Sequence, residues 1–587
     1  MNKILSAILI LIVTQLMMSC EESKMDALDP PEPQVSIDSP RDGATVHELV
    51  PILVTILDAD TISRVTYLID DSLHFVDTES PYSYEWETTG YADSSEHTIR
   101  VMAYDNSDTV IGLQTITLIV DNSVSHPSQL EIFPISYQDG SFTITWSSSP
   151  DSDFASYELY ESPVMDMNGS HLIYTSENRG DTIRIVPTVS ESEKRFYQVR
   201  VKDTWGLYSE SGVQVANSYS MFMRFYGGDG QDIGYDVELT SDGGYILAGS
   251  SRSNDAGGGD GWAIKTDSNG DVLWNQLFGT TDPDYFRSIK QTTDGGYVLT
   301  GFSDHYAWLV KIDSQGNEEW STRLTNFWGS VGFSVIQTTD GGFIVAGCTD
   351  CSGHNSVDSD VLLVKTDSQG NEEWVKTFGG SSGQKGTSVQ QTNDGGYIIT
   401  GNYVFHAWLI KTDGDGNEAW NVTFENNLYS AGHSVEVTRD GGFAIAGYIS
   451  FSDYEADVLL IKTTSDGTEE WDATFGDTPE WGYIPEIAYS LQQTSDDGFI
   501  MTGCYECNNT YGDLFLVKAT PQGTEQWTRR YDISQNWHEE GYSVKQTADG
   551  GFIIVGERQD NLGDTNVLLL KTDPDGEFLN LDGYIYE

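Results

Sequence analysis

Basic side chains are scarce: 30 lysines and arginines stand against 91 aspartates and glutamates, a formal net charge of -61 over 587 residues. Such a surface repels phosphate backbones and anionic headgroups, so nucleic acid is excluded as an expected partner. Cysteine is nearly absent, with five in all and none between Cys20 and Cys348. Any domain in that interval must therefore be held by packing alone. Beyond the first twenty residues no apolar run is long enough to cross a bilayer. The chain also has no nucleophile elbow, phosphate-binding loop or metal-binding histidine pair, and no cofactor or metal is expected. What it does have is 59 glycines, 31 tyrosines and 15 tryptophans, a composition that fits an exported all-β protein.

The start of the chain reads as an export signal. Lys3 precedes an apolar run from Ile4 to Val13, and the stretch ends Met18-Ser19-Cys20 before Glu21 and Glu22. That run is too short for a spanning helix. Ser19-Cys20 resembles the lipobox of bacterial lipoproteins, which implies cleavage ahead of Cys20, lipidation of Cys20 as the first residue of the mature chain and attachment to a bacterial membrane through that lipid. The alternative is an ordinary secretory peptide. An acidic, proline-marked linker runs from 21 to 33.

Short alternating strands with turn residues every ten or so positions follow. Ser39-Pro40, Gly43, Ser80-Pro81-Tyr82, Trp86 and the run His97 to Asp105 mark residues 34–122, which resemble a bacterial immunoglobulin-like sandwich. Phe142-Thr143-Ile144-Thr145-Trp146 and Tyr197 to Asp203 mark residues 126–217, which resemble a fibronectin type III domain with Trp146 and Tyr197 in its core. No Arg-Gly-Asp tripeptide accompanies it, and both domains are expected to act as spacers.

From 219 to 580 the chain repeats. Asp242, Asp294, Asp340, Asp394, Asp440, Asp496 and Asp549 each open an Asp-Gly-Gly-aromatic motif or its variant, 46 to 56 residues apart. That is the period of a four-stranded propeller blade. The outer-strand signature, an aromatic followed four residues on by another apolar side chain, occurs only six times, at Trp274, Trp320, Trp374, Trp420, Trp471 and Trp527. The missing seventh lies ahead of the first repeat, at Phe222 and Tyr226. The expected fold is therefore all-β: two β-sandwiches followed by a seven-bladed β-propeller closed by its N-terminal strand, with a tail at 581–587. The repeats resemble those of uncharacterised bacterial propeller lipoproteins, a likeness that implies fold and no chemistry.

Residues present in every repeat should be architectural. Lys265, Lys311, Lys365, Lys411, Lys462, Lys518 and Lys571 share one register and should pair with acids of their own blade. Ser288, Ser334, Ser388, Ser434, Ser490 and Ser543, with Asp236, should line a narrow channel. The Asp-x-x-Gly turns, such as Asp267 to Gly270, read as tight turns with left-handed glycine rather than calcium loops, because no bidentate glutamate follows. They resemble the Asp box of sialidases, but their glycine lies four residues ahead of the tryptophan rather than three.

Cys348 with Cys351, and Cys504 with Cys507, should form two local disulfides rather than one four-thiolate zinc site, because the two repeats concerned lie nearly opposite in a ring of seven. Function should lie where repeats differ. The inter-blade loops carry Tyr285, Trp328, Tyr429, Trp481, Tyr483 and Trp537, the last beside His538 and Glu539, and these are the expected contacts for a glycan or protein ligand. The expected role is a lipid-anchored, surface-exposed binding or adhesion protein of the cell envelope. The alternative is a glycan-active enzyme pairing Glu539 with Asp282 or Asp284.

Overall fold

The computed structural model describes residues 34–578 except 58–61, 89, 93, 122–125, 139, 152–153, 188, 191, 205, 254–257, 352–358, 381–382, 425–428, 453–454, 477–484, 508–511, 534–537 and 561–562. Every regular element among the described residues is a strand, and none of them is a helix long and apolar enough to cross a membrane. The strands fall into two compact units, the first ending at Ala216 and the second beginning, apart from residues 189–194, at Asn217.

The first unit holds two sandwiches. In one, the sheet of Gln34–Ser39, Leu49–Leu57 and Ser83–Glu87 faces a five-stranded sheet that includes Arg64–Ile69, Ser95–Tyr104 and Val110–Val120. Alternation along these strands buries Ile52, Tyr67, Val101, Leu118 and Trp86, with no cysteine among them. In the other, the sheet containing Ser141–Thr145 faces the one containing Phe154–Ser162 and Lys194–Asp203. Trp146 and Tyr197 are both buried there, and the Tyr197 hydroxyl donates to Glu161 at 2.6 Å.

The second unit contains seven four-stranded antiparallel sheets. Their innermost strands are Asp232–Leu239, Tyr285–Gln291, Val331–Gln337, Lys385–Gln391, Tyr429–Val437, Glu486–Gln493 and Glu539–Gln546, numbered first to seventh below. Six sheets are contiguous in sequence. The seventh takes its outer strand, Phe222–Tyr226, from ahead of the first, pairing it with Thr565–Thr572. Phe222 there faces Lys571, the register in which Trp274 faces Lys265 and Trp527 faces Lys518.

The Asp-Gly-Gly motif has a steric and an electrostatic cause. The first glycine is left-handed, as at Gly341 with φ +87°, and in the sixth sheet Asp497 holds the same conformation at φ 64°. The second glycine has no room for a side chain: a Cβ on Gly342 would lie 2.2 Å from the Thr366 carbonyl oxygen and 2.6 Å from Lys365 Nζ. Lys365 is buried and bonds Asp340 at 3.0 Å, Glu373 at 3.0 Å and the Thr366 carbonyl at 2.9 Å. The acid partner is thus the aspartate of the Asp-Gly-Gly turn, and the two recurrent motifs form one lock in all seven sheets. The Asp-x-x-Gly turns serve packing between sheets. Gly270 is left-handed at φ +77° and lies under the Phe222 ring, as Gly316 lies under Trp274 and Gly576 under Trp527.

This lock dictates an acid response. Partial burial raises the carboxyls of Asp242, Asp294, Asp340 and Asp440, but the threonine hydroxyl, the glycine N–H and the lysine outweigh it and bring each down to about 2. A depressed folded-state value stabilises above the ordinary carboxylate range and loses that contribution as pH falls through it. The melting temperature is therefore expected to fall steadily from pH 4 to pH 2 in low salt. A melting temperature that holds or rises over that interval contradicts the lock.

Candidate functional site

Each innermost strand of the second unit carries one extra residue against its neighbour. The register skips Tyr235, Arg287, Phe333, Thr387, His433, Tyr489 and Tyr542 in sheets one to seven. A bulge leaves its residue out of the ladder and re-aims its side chain. These seven half-buried side chains line one end of a common cavity of about 150 Å³. The next residue in each strand is Asp236 or a serine, and those side chains line the cavity as the spacing implied. Asp236 accepts from Ser288 at 3.1 Å and from Ser543 at 2.9 Å, so the first sheet bonds both the second and the seventh. Deeper still, Lys290 lies 2.9 Å from Glu238 and 3.2 Å from Asp236. Burial disfavours the Asp236 carboxylate, but Lys290 and Lys545 hold its pKa below the usual range.

The bulge residues are not evenly distributed in kind. Arg287 stacks over the Tyr235 ring at 3.9 Å, Tyr235 meets Tyr542 at 5.2 Å, Tyr542 meets Tyr489 at 5.4 Å, and Tyr489 stacks on His433 at 5.5 Å. Five adjacent sheets thus present one continuous aromatic arc. Burial pushes the three phenols up and the His433 imidazole down, so all four groups are neutral near pH 7. Beside the arc, Tyr542 donates to Glu557 at 3.2 Å. Burial and the nearby Glu540 raise the Glu557 carboxyl to about 7.

A second cavity of about 270 Å³ adjoins the arc through His433 and Thr387 and is lined by Lys385, Asn402, Phe405, Tyr429 and Tyr448. Tyr429, expected as a ligand contact, is 51% exposed here, edge-on to Phe405 at 4.8 Å. Trp328 is 61% exposed and stacks on His305 at 4.1 Å. Tyr285 instead stacks on Phe302 at 5.3 Å, half-buried. Trp481, Tyr483, Trp537 and Cys20 lie outside the described residues.

Glu539 is fully buried opposite Arg558, within 4.8 Å of Asp513 and Asp532. Asp284 is buried at the junction of the first and second sheets, where it accepts from Thr280 at 3.2 Å. The two carboxylates belong to separate junctions, so the expected acid–base pair is not assembled. Both are buried, Asp284 as the cap of the Thr280 turn and Glu539 beside Arg558.

Cys348 and Cys351 form the expected disulfide. Cys504 and Cys507 do not: both are thiols, and Cys507 Sγ donates to the Cys504 carbonyl at 2.9 Å.

The arc has no recurrent signature in the sequence, because it is built from the variable residue ahead of each recurrent serine or Asp236. That variable position is the signal that could have found it.

These features define a modular all-β protein: an immunoglobulin-like and a fibronectin III-like sandwich, then an array of seven four-stranded sheets with a polar, aromatic-rimmed cavity. A family model described as a bacterial Ig domain matches residues 33–101, and that segment is a bacterial Ig-like domain. Among solved structures, the chain is similar to fibronectin(III)-like modules of CbhA from Clostridium thermocellum, with 32% identity over 15% of this chain and 96% of that one and a TM-score of 0.13. It is also similar to Sqt1 from Chaetomium thermophilum, with 12% identity over 57% of this chain and 85% of that one and a TM-score of 0.36. A protein of unknown function from Dyadobacter fermentans gives 9% identity over 60% of this chain and 97% of that one, again with a TM-score of 0.36. No curated protein matches the sequence.

Proposed function

We propose that the chain is a surface-exposed, lipid-anchored binding protein of a bacterial cell envelope, tethered through Cys20, with its sandwiches as spacers. Its head is a closed seven-bladed propeller. Support for closure comes from Asp236, which bonds the second and seventh sheets, and from Phe222, which fills the outer-strand register of the seventh. The head binds a neutral glycan at the mouth of its axial cavity. The observation that carries this reading is the unbroken arc from Arg287 through Tyr235, Tyr542 and Tyr489 to His433. Aromatic faces with polar edges suit the alternating apolar and hydroxyl faces of sugar rings. A surface of this negative charge also disfavours acidic ligands.

A glycan array probed with the mature chain lacking its lipid tests the reading. Binding should fall at least tenfold, about 1.4 kcal/mol, in a Tyr489→Ala/Tyr542→Ala variant, and much less in Trp328→Ala, which lies outside the arc. Undiminished binding by the double variant contradicts the proposed site, and a protein ligand captured with the same sensitivity would replace the glycan.

A further inference from the structure

We propose that His538, Glu540 and Glu557 form a binding site for a divalent transition-metal ion, with zinc as the best fit, at the mouth end of the seventh sheet. Glu540 and Glu557 are direct cross-strand partners, and both side chains are largely buried. Like charges placed opposite one another destabilise a strand pair, and burial magnifies the penalty. The other six sheets put no such pair at this register: Tyr285 faces Phe302, Val331 faces Cys348 and Ala431 faces Tyr448. The ladder therefore does not require two carboxylates here.

The third group supplies the chemistry that an acidic pair lacks. His538 Nε2 lies 2.9 Å from Glu540 Oε1 and 3.8 Å from Glu557 Oε1, and one potential ligand atom from each residue lies within 4.8 Å of the others. Zinc bound at about 2.1 Å by imidazole nitrogen and carboxylate oxygen holds its tetrahedral ligands about 3.4 Å apart, so the observed separations bracket the required one. When both carboxylates are ionised His538 offsets at most one of their two charges, and a bound cation would neutralise the other. Its Nδ1 is buried and has no hydrogen-bond partner. Tyr542, a member of the aromatic arc, donates to Glu557 and would orient that ligand from outside the metal shell. The Cys504 thiol lies against Glu540 but outside the group of three, and the imidazole nitrogen set among the carboxylates favours zinc over calcium or magnesium. The site stands apart from the glycan reading, since none of its three ligands belongs to the arc.

Titration of the chelator-stripped, lipid-free chain with zinc, and with cobalt(II) followed by its visible absorption, tests the proposal. One equivalent should bind. Glu540→Gln and Glu557→Gln should each weaken binding at least tenfold and change the cobalt spectrum, while Asp513→Asn in the neighbouring acidic group should do neither. Zinc should also protect His538 of the unaltered chain from diethylpyrocarbonate, a readout that needs no variant. Absence of a tight equivalent, binding by the glutamine variants as tight as that of the unaltered chain, or no protection of His538 would overturn the proposal.

Discussion

Replacing Gly401 with alanine is expected to unfold the fourth sheet, with a loss of more than about 3 kcal/mol, at the upper end of what one substitution does. An alanine Cβ at this position would lie 1.8 Å from the Lys385 carbonyl oxygen and 2.9 Å from its carbon. Both atoms belong to the backbone of the innermost strand, which is laddered directly to the strand of Gly401, so no rotamer change can relieve the contact. The innermost strand must move, and with it the bulge that carries Thr387. The same close approach recurs at Gly249, Gly301, Gly347, Gly447, Gly503 and Gly556, each 1.8 to 1.9 Å from a carbonyl oxygen. Gly395→Ala is the control. Its φ is +83° and nothing lies within 4 Å, so it should cost only the left-handed penalty of about 1 kcal/mol. Tryptophan fluorescence in urea, with hydrogen exchange across 385–424 to localise the opening, separates the two. Equal effects would show that chain conformation, rather than crowding at the bulge, dictates these glycines.

Phe222→Ala should release the clasp between the ends of the second unit, at about 3 to 5 kcal/mol. Phe222 is 7% exposed and packs in one cluster with Tyr245 and Trp262 of the first sheet and with Val567 and Leu569 of the seventh. Its ring also covers Gly270, so it touches two sheets as the tryptophans do in the other six. Truncation leaves a cavity at that junction and a weakened strand pair, Phe222–Tyr226 on Thr565–Thr572. Amide exchange should accelerate in both strands together, while Ser141–Thr145 in the first unit stays unchanged. Acceleration confined to 222–226 would mean that the seventh sheet stands without its borrowed strand.

The parts of this architecture that were legible in the sequence are those where one physical constraint repeats. Asp340, Gly341, Gly342 and Lys365 are tied by a left-handed turn, a crowded backbone and a buried ammonium, so every sheet had to restate them. Phe222 was legible because six outer-strand aromatics cannot serve seven repeats. The partner of the lysine was less so, since several acids lie at suitable spacing and only the fold brings Asp340 to Lys365. The bulge residues were illegible for the opposite reason. Nothing in the ladder constrains a side chain that points into a cavity, so Tyr235, Arg287, Phe333 and Thr387 share no pattern. Local spacing also gave two cysteine pairs the same expected fate, although Cys504 and Cys507 are thiols. Glu539 was a plausible acid by position and proved to be a buried partner of Arg558.

The division between a uniform scaffold and a variable mouth can be measured in one variant. Tyr235, Arg287, His433, Tyr489 and Tyr542 would all be changed to threonine, the residue that the fourth sheet already carries at its bulge as Thr387. The expected result is a chain whose melting temperature stays within a few degrees of the parent and whose glycan-array signal disappears. A variant that fails to fold, or one that folds and still binds, would contradict it.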